Sequence, residues 1–255
     1  MYTESPIFEP PDEPNTPVWR YVSLAKFISL LERRALYFAR LDHMSDAREG
    51  FVSEAALKTI LDGFDGAWRS DPEKVRNVEL QLRMLYAVAR TQIAVNCWHM
   101  NEVESAAMWA IYSGPSHSVA IRSTFQRLAQ SFQPAPTDVH VGVVKYIDLQ
   151  REGARLARVQ EETGHMVPNV FYPSIYKGKS YEYERELRAA TIYMAEDETT
   201  QLAWQGAYVE VDLTTLIESI YVSPRSPSWF CDDVQSLVAR YGLAQTVIRS
   251  DILMR

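Results

Sequence analysis

Two carboxylates, Glu184 and Glu186, lie two residues apart in the segment SYEYERELRAAT at residues 180–191. In a β-strand alternate side chains point to the same face, so this spacing predicts that both acids share one face with Arg188. Carboxylates held side by side repel each other, which indicates either a solvated face or a chemical role for the charge. A fixed carboxylate can stabilise positive charge in a transition state, and a second one can act as a general base.

The same segment also has a purely structural interpretation. Alternating acidic and basic side chains are common on edge strands, where they stay solvated and prevent pairing with another sheet. By the charge pattern alone, this edge-strand interpretation is favoured over a catalytic one. The residues of the segment therefore leave both interpretations open.

Motifs for metal-dependent or covalent chemistry are not recognisable in the sequence. It contains no phosphate-binding loop, no dinucleotide-binding glycine fingerprint, no nucleophile elbow and no Cys-x-x-Cys pair. Cys97 and His99 would share a strand face, with His117 further along, but the remaining ligands of a zinc site are not recognisable. No metal is predicted, and a buried cysteine beside a hydrogen-bonded histidine is the favoured interpretation.

The segment SAAMWAIYSG predicts a short helix that carries Trp109 and Tyr112 on one face. Aromatic side chains in such a helix usually belong to the core, because burying their large apolar surface is favourable. If the helix instead lines a cleft, the two ring edges could flank a planar ligand.

Composition favours a soluble, cytoplasmic protein. The chain has 255 residues and a net charge of −7, which argues against general binding to the phosphate backbone of nucleic acids. Its two cysteines, Cys97 and Cys231, fit a reducing compartment and predict free thiols. The first residues have no signal-peptide character, and no apolar run is long enough to predict a membrane span.

The first half of the chain predicts helices that follow a Pro-rich extended arm at residues 1–17. A strand, VWRYVS, leads into a helix capped by Ser23, and ALYFARL predicts a second strand. Residues 52–90 predict two helices, the second with Asp71 as its N-cap and Pro72 at its first position. Apolar spacing predicts buried stripes on the first and last of these helices at Leu24, Phe27, Ile28 and Leu31 and at Val75, Val78, Leu82 and Leu85.

The second half of the chain predicts mostly β-strands. The segments TQIAVNCWH, HSVAIRS, VHVGVVKYI, LRAATIYM, AYVEVDL and IESIYVSP have strand composition. A helix that stops near Gly242 and a strand, AQTVIRS, follow. Because strands and helices do not alternate, we expect a single α+β domain at residues 18–255, with a split, strongly bent, mostly antiparallel sheet and the helices of residues 52–90 packed on one side.

Four motifs resemble those of an uncharacterised bacterial protein family. The strand motif is Trp19–Tyr21, and the turn motif F-x-x-x-x-x-x-S-D-x-x-E spans Phe38–Glu49 and includes Ser45. The central pattern C-W…M-W-x-x-Y spans Cys97–Tyr112, and the late pattern K-x-x-x-Y-x-x-E-x-E-x-R spans Lys177–Arg188. This resemblance covers most of residues 19–190 and implies no activity by itself.

A second resemblance does imply an activity. The order of a strand, an amphipathic helix, a Tyr-bearing strand, a Ser-bearing turn and a late Glu entering a strand is similar to the ADP-ribosyltransferase superfamily. It implies that Arg20 holds the nicotinamide-side ribose, that Tyr37 stacks on the nicotinamide, and that Glu186 supports an oxocarbenium-like transition state. Glu184 completes a Glu-x-Glu pair of the kind that arginine-modifying members use.

The implied function is cleavage of the N-glycosidic bond of NAD and transfer of ADP-ribose to a protein, a nucleic acid or water, as in bacterial toxins and phage-defence effectors. NAD is the implied substrate, and no metal is required. The predicted catalytic residues are Glu186 and Glu184, and the predicted cofactor-binding residues are Arg20, Tyr37, Tyr21, Ser45, Arg188, Trp109 and Tyr112. A non-catalytic nucleotide- or protein-binding module is the main alternative. A nuclease or phosphodiesterase is disfavoured, because such sites use several acids to bind divalent metals.

Overall fold

The structure is a computed structural model that describes residues 1–63, 70–112, 117–149, 151, 157–159, 166–194 and 203–253. Its helices are α1 (Leu24–Arg33), α2 (Glu54–Asp62), α3 (Pro72–Gln92), α4 (Ala106–Tyr112), α5 (Phe125–Ser131), α6 (Leu213–Leu216) and α7 (Trp229–Arg240). Its strands are β1 (Pro17–Ser23), β2 (Ala35–Arg40), β3 (Ile93–Met100), β4 (Ser118–Thr124), β5 (His140–Val143), β6 (Lys145–Ile147), β7 (Ala157–Val159), β8 (Met166–Pro168), β9 (Tyr176–Gly178), β10 (Glu186–Ile192), β11 (Gly206–Glu210), β12 (Ser219–Val222) and β13 (Thr246–Arg249).

The described residues form an α+β fold around one large, mostly antiparallel sheet. Its strands run in the order β11-β2-β3-β1-β4-β12-β13, and β10 and β5 extend it from β3. Within this sheet β12 and β13 pair in parallel, whereas the other strand pairs are antiparallel. The prediction of an antiparallel-rich α+β architecture is therefore confirmed. Two smaller sheets, β6–β9 and β7–β8, complete the described strands.

The large sheet forks at β3. Strand β10 pairs with β3 along its whole length, from Ile93 to His99, so β1 and β2 must share the opposite edge. There β1 pairs near the end of β3, opposite His99 and Met100, whereas β2 pairs near its beginning, opposite Ala94 and Val95. Between these two pairings, the edge of β3 opposite β10 pairs with neither β1 nor β2. This gap opens the sheet between β1 and β2.

Side chains on the two faces of the sheet belong to different cores. Trp98 and Leu187 belong to the main hydrophobic cluster, which includes α1, α5 and α7, whereas Val95 and Ala190 belong to the cluster that α2 and α3 cover. Positions an odd number of residues apart on one strand thus enter opposite cores, as the pleat requires. The prediction that the helices of residues 52–90 cover one side of the sheet is confirmed.

Helix starts are predicted better than helix faces. Ser23 caps α1, and Asp71 caps α3 ahead of Pro72, as expected. However, Ile28 and Leu85 were expected in the buried stripes and are largely exposed. The buried residues are instead Phe27, Leu30 and Leu31 on α1 and Leu82, Tyr86 and Ala89 on α3. Leu30 in α1 and Tyr86 in α3 fill the core instead. The buried face of each helix is therefore rotated from the predicted one.

The segment that contains the carboxylate pair differs from its prediction. Residues Lys179–Glu184 form a 3-10 helix, Arg185 adopts a left-handed backbone with φ 40°, and the strand begins only at Glu186. Strand β10 then lies between β3 and β5, so it is not an edge strand. The expectation that Glu184 lies on the strand, and the edge-strand interpretation, are both wrong.

The N-terminal residues contain turns and pack against the fold. Ile7 and Phe8 are buried in the α2–α3 cluster, and Phe8 stacks on the ring of His140. The chain passes so close to β5 that a Cβ on Gly142 would lie 2.6 Å from the Phe8 backbone. The division into an arm at residues 1–17 and a domain at 18–255 stays a prediction.

Two further expectations concern the whole chain. Cys97 and Cys231 are both free thiols. Among the described helices, none combines the length and apolar character that crossing a bilayer demands.

Candidate functional site

Arg20 and Tyr37 line the same cleft, and the described residues that line it include neither Glu184 nor Glu186. The cleft has a volume of about 370 Å³ and lies between β1 and β2, where α1 covers the fork of the sheet. Tyr208 on β11 adds a second aromatic ring, whose centroid lies 5.2 Å from that of Tyr37. The Tyr37 side chain is 39% exposed, so its ring is accessible to a ligand in the cleft.

Arg20 connects this cleft with the interior of the sheet. Its Nη1 donates a hydrogen bond of 2.6 Å to the carbonyl oxygen of Cys97. Cys97 lies on the stretch of β3 that pairs with β10 but with neither β1 nor β2. Burial lowers the pKa of Arg20, whereas the nearby Cys97 and Glu186 groups raise it. The guanidinium is therefore within electrostatic reach of Glu186.

Glu186 is a buried, ionised carboxylate at the start of β10, with 2% of its surface exposed. Arg188 donates hydrogen bonds to the Glu186 carboxylate from Nε at 2.6 Å and from Nη2 at 2.9 Å. The backbone N–H of Glu186 donates to the Tyr146 hydroxyl at 2.8 Å. Burial alone would raise its pKa, but Arg188 and then Lys177 outweigh that effect and lower the pKa of Glu186 to about 2. The side chain thus carries a fixed negative charge.

Glu184 ends the 3-10 helix and faces Tyr112. Its Oε1 accepts a 2.7 Å hydrogen bond from the Tyr112 hydroxyl, and its Oε2 accepts one of 2.5 Å from Lys177 Nζ. The ring of Tyr112 is 47% exposed, so Glu184 lies one side chain away from the surface. Burial, followed by the hydrogen bond to Glu184, raises the pKa of Tyr112 and keeps its proton in place.

Five buried charged side chains form what we call the buried ion cluster: Glu49, Lys177, Glu184, Glu186 and Arg188. Arg188 reaches Glu49 Oε1 at 2.6 Å, and its Nη1 also donates to the carbonyl oxygen of Ser174. Burial lowers the pKa of Lys177, but Glu186 and Glu49 raise it more, so its net shift is upward. Within these five residues the carboxylates exceed the cations by one charge.

Glu49 and Lys177 are members of the site that residue-by-residue reasoning missed. Both occur in the quoted motifs, at the end of the Phe38 turn and at the start of the late pattern, but no role was assigned to them. Their positions in these motifs were the signal in the sequence that could have identified them as site residues. The turn projects Glu49 inward through a hydrogen bond from its backbone N–H to the carbonyl oxygen of Asp46.

Several predicted cofactor-binding residues lie elsewhere. Tyr21 and Trp109 pack edge to face with ring centroids 4.9 Å apart, and each is buried with a hydrogen bond to the segment before α4. They therefore brace α4 against β1. Ser45 is exposed on the turn that leads to Glu49. Arg188 is fully buried within the cluster, so its guanidinium is already occupied by protein partners. The described residues that line the Arg20–Tyr37 cleft do not include these four.

The Cys97 and His99 pair has a structural environment. The Nδ1 atom of His99 lies 2.6 Å from the carbonyl oxygen of Glu184, and burial lowers the pKa of His99. Burial also raises the pKa of the Cys97 thiol, which lies beside Glu186. Across the described part of the chain, no group of three or more His, Cys, Asp and Glu side chains could hold a metal ion.

The lowered pKa of Glu186 predicts a specific acid sensitivity. Because the pKa falls from 4.5 to about 2 on folding, the stabilisation is complete above pH 4.5 and is lost as the pH falls toward 2. A shift of this size corresponds to about 3 kcal/mol. Urea unfolding between pH 3 and pH 7 should therefore show a smaller pH dependence in Glu186→Gln than in the wild type. Equal pH dependence in the two proteins would contradict a lowered pKa of Glu186 in the folded protein.

No protein-family model matches this sequence, and no curated protein is detectably similar to it. Among solved structures, the chain is similar to "Thermus sp. 2.9 DarT in complex with carba-NAD+", with 10% identity, a TM-score of 0.36 and coverage of 93% of this chain and 97% of that one. It is similar at 12% identity and a TM-score of 0.37 to the same protein in complex with NAD+, covering 95% of this chain and 98% of that one. The complex with ADP-ribosylated ssDNA has the same identity and TM-score, with 95% and 96% coverage. Similarity at this level carries no argument about activity.

Proposed function

We propose that this protein is an ADP-ribosyltransferase-like enzyme that cleaves the N-glycosidic bond of NAD and transfers ADP-ribose to a macromolecular acceptor, a protein or a nucleic acid. In this proposal NAD occupies the cleft at the fork of the sheet, with Tyr37 against its nicotinamide and Arg20 at the adjoining ribose or phosphates. The role of a toxin or phage-defence effector belongs to the same proposal.

One observation carries the proposal. Arg20 both lines the accessible cleft and lies within electrostatic reach of Glu186, a carboxylate that is ionised at all physiological pH values. The fork of the sheet makes this connection possible, because no strand separates the Arg20 side chain from the Cys97 backbone there. A cleft that adjoins a buried fixed charge suits a reaction whose transition state gains positive charge.

The proposed reaction requires no metal or covalent enzyme intermediate. The bond between the nicotinamide nitrogen and ribose C1 breaks, and its electron pair leaves with the neutral nicotinamide. The remaining ribosyl group carries positive charge, which the carboxylates stabilise more than they stabilise bound NAD. An acceptor nucleophile then bonds to C1, and Glu184, the carboxylate nearer to the surface, takes its proton.

A non-catalytic binding module is the second candidate, and one observation favours it. Glu186 is 2% exposed and both of its oxygens accept hydrogen bonds from Arg188, so direct contact with a ribose requires rearrangement. In that case the cleft would bind a nucleotide without chemistry. The two candidates differ in whether NAD is consumed.

The test measures NAD binding by calorimetry and nicotinamide release by chromatography. We expect Tyr37→Ala to weaken NAD binding by roughly tenfold, because stacking of a base on an aromatic ring contributes about 1–3 kcal/mol. Tyr183→Ala removes a comparably exposed tyrosine that does not line the cleft and should bind NAD as the wild type does. Binding without nicotinamide release, tested with protein and nucleic-acid acceptors, would favour the binding module. Absence of NAD binding would contradict both candidates for this ligand.

A further inference from the structure

Lys177 lies between the two carboxylates of the Glu-x-Glu pair. Its Nζ is 2.5 Å from Glu184 Oε2 and 3.3 Å from Glu186 Oε2. It is also 3.5 Å from Glu49 Oε2, and its side chain is almost completely buried. A lysine enclosed by three carboxylates and removed from water remains charged only because they surround it.

We propose that Lys177 is a positioning residue that holds the carboxylates of Glu184 and Glu186 together and directs Oε1 of Glu184 toward Tyr112 and the surface. The inference rests on the proposed function for its catalytic consequence. The positioning itself is a property of the folded protein and can be measured without NAD.

Lys177 is the cation that joins the pair. Arg188 contacts Glu186 and Glu49, and its described contacts do not include Glu184. Tyr112 contacts Glu184 but carries no positive charge. Since Glu184 ends a 3-10 helix and Glu186 begins a strand, the backbone alone does not fix the distance between their carboxylates. The ammonium group of Lys177 fixes this distance by bridging the two carboxylates.

The bridge also divides the oxygens of the pair between two tasks. Lys177 binds Oε2 of each carboxylate, and this leaves Oε1 of Glu184 for the hydroxyl of Tyr112 near the surface. Without the ammonium group, two neighbouring carboxylates in a buried site share a proton, because one charge disfavours the other. Glu184 would then lose the contact that orients its carboxylate.

Charged and titratable groups approach Lys177 from several elements, and each enters the expected pH response. They are Glu49 on the turn before α2, Tyr181 and Glu184 on the 3-10 helix, Glu186 and Arg188 on β10, Tyr146 on β6 and Tyr112 on α4. Cys97 and His99 on β3 contact the pair itself, at the Glu186 side chain and at the Glu184 carbonyl oxygen. Among these, the carboxylates of Glu184 and Glu186 share the ammonium group within hydrogen-bonding distance.

The experiment compares Lys177→Met, which removes the charge, with Lys177→Arg, which keeps it. Lys145→Met is the matched control, since Lys145 forms a surface ion pair with Glu9. We expect Lys177→Met to lower kcat for nicotinamide release at least tenfold at neutral pH, and to move the acid limb of the kcat profile upward by about one pH unit or more. KM for NAD should stay near its wild-type value. Lys177→Arg should retain the wild-type acid limb, and Lys145→Met should behave as the wild type.

A second readout does not depend on turnover. Carbon-13 NMR of labelled glutamate carboxyls, assigned with Glu184→Gln and Glu186→Gln, should show one carboxyl of the pair titrating at higher pH in Lys177→Met. If Lys177→Met does not fold, the double variant Lys177→Met/Glu184→Gln removes one charge of each sign, and its Glu186 should titrate at higher pH than in Glu184→Gln, because the ammonium group that stabilises its charge is missing. A single-variant titration identical to wild type, or a Glu186 that titrates alike in the double variant and in Glu184→Gln, would overturn the positioning role. A carboxyl shift in a protein that never consumes NAD would overturn the proposed function and leave the positioning role standing.

Discussion

Glu184→Gln is expected to lower NAD turnover about 100-fold or more while leaving the fold intact, since losing one electrostatic contributor at a reaction centre costs on the order of 100-fold to 1000-fold. Glutamine keeps the size of the side chain and can still accept a hydrogen bond from Tyr112, but it carries no charge and accepts no proton. The measurement is nicotinamide release at saturating NAD, with circular dichroism to confirm the fold. Because Glu184 is not held by Arg188, this substitution disturbs the buried ion cluster less than Glu186→Gln does.

Glu182→Gln is the matched control for this prediction. It is the same substitution in the same 3-10 helix, but the Glu182 side chain is exposed and lies outside the cluster. Its turnover should equal that of the wild type. Glu186→Gln should also reduce turnover. It should lower the free energy of unfolding more than Glu184→Gln does. Wild-type turnover in Glu184→Gln would remove this carboxylate from the proposed mechanism.

Arg188→Met is expected to cause the largest loss of stability, about 3–5 kcal/mol of unfolding free energy. Its guanidinium is fully buried and donates to Glu49, to Glu186 and to the carbonyl oxygen of Ser174. Removing it leaves three buried carboxylates with Lys177 as the one remaining cation of the cluster, and the penalty is the cost of that uncompensated charge. Urea unfolding at neutral pH measures the effect.

Arg83→Met is the comparison on the surface. Arg83 forms ion pairs with Glu54 and Glu79, which are partly or largely exposed, so its loss should cost about 1 kcal/mol or less. The two variants remove the same charge and add the same side chain, and they differ in burial. Equal losses of stability would show that the buried ion cluster is not a principal support of the fold.

The cluster joins segments that are far apart in sequence. Glu49 lies 139 positions before Arg188, and the other three members come from β9, the 3-10 helix and β10. Each segment contributes a charge that would be unfavourable in the interior without the others. The turn that includes Ser45 is thus tied to the strand that carries Glu186. The carboxylates that we propose to be catalytic are held by the core and not by a surface loop, which favours a preorganised site.

The sequence by itself determined the local elements and part of the cleft. The caps Ser23 and Asp71 begin their helices as predicted, since capping is a local hydrogen bond between a side chain and the backbone next to it. The strands that contain Arg20 and Tyr37 were also recognisable from apolar composition. The two side chains line one cleft in the structure.

Only the tertiary structure decided where the carboxylate pair lies and what surrounds it. Alternation of charge in SYEYERELRAAT was consistent with an exposed edge strand, yet β10 is interior, and Glu184 precedes the strand on a 3-10 helix. The sequence pattern could not distinguish these cases, because a carboxylate is tolerated inside only when cations reach it. Those cations come from Lys177 and Arg188, and the position of Arg188 depends in turn on Glu49. Burial of charge is thus a long-range property, whereas a helix cap is a local one.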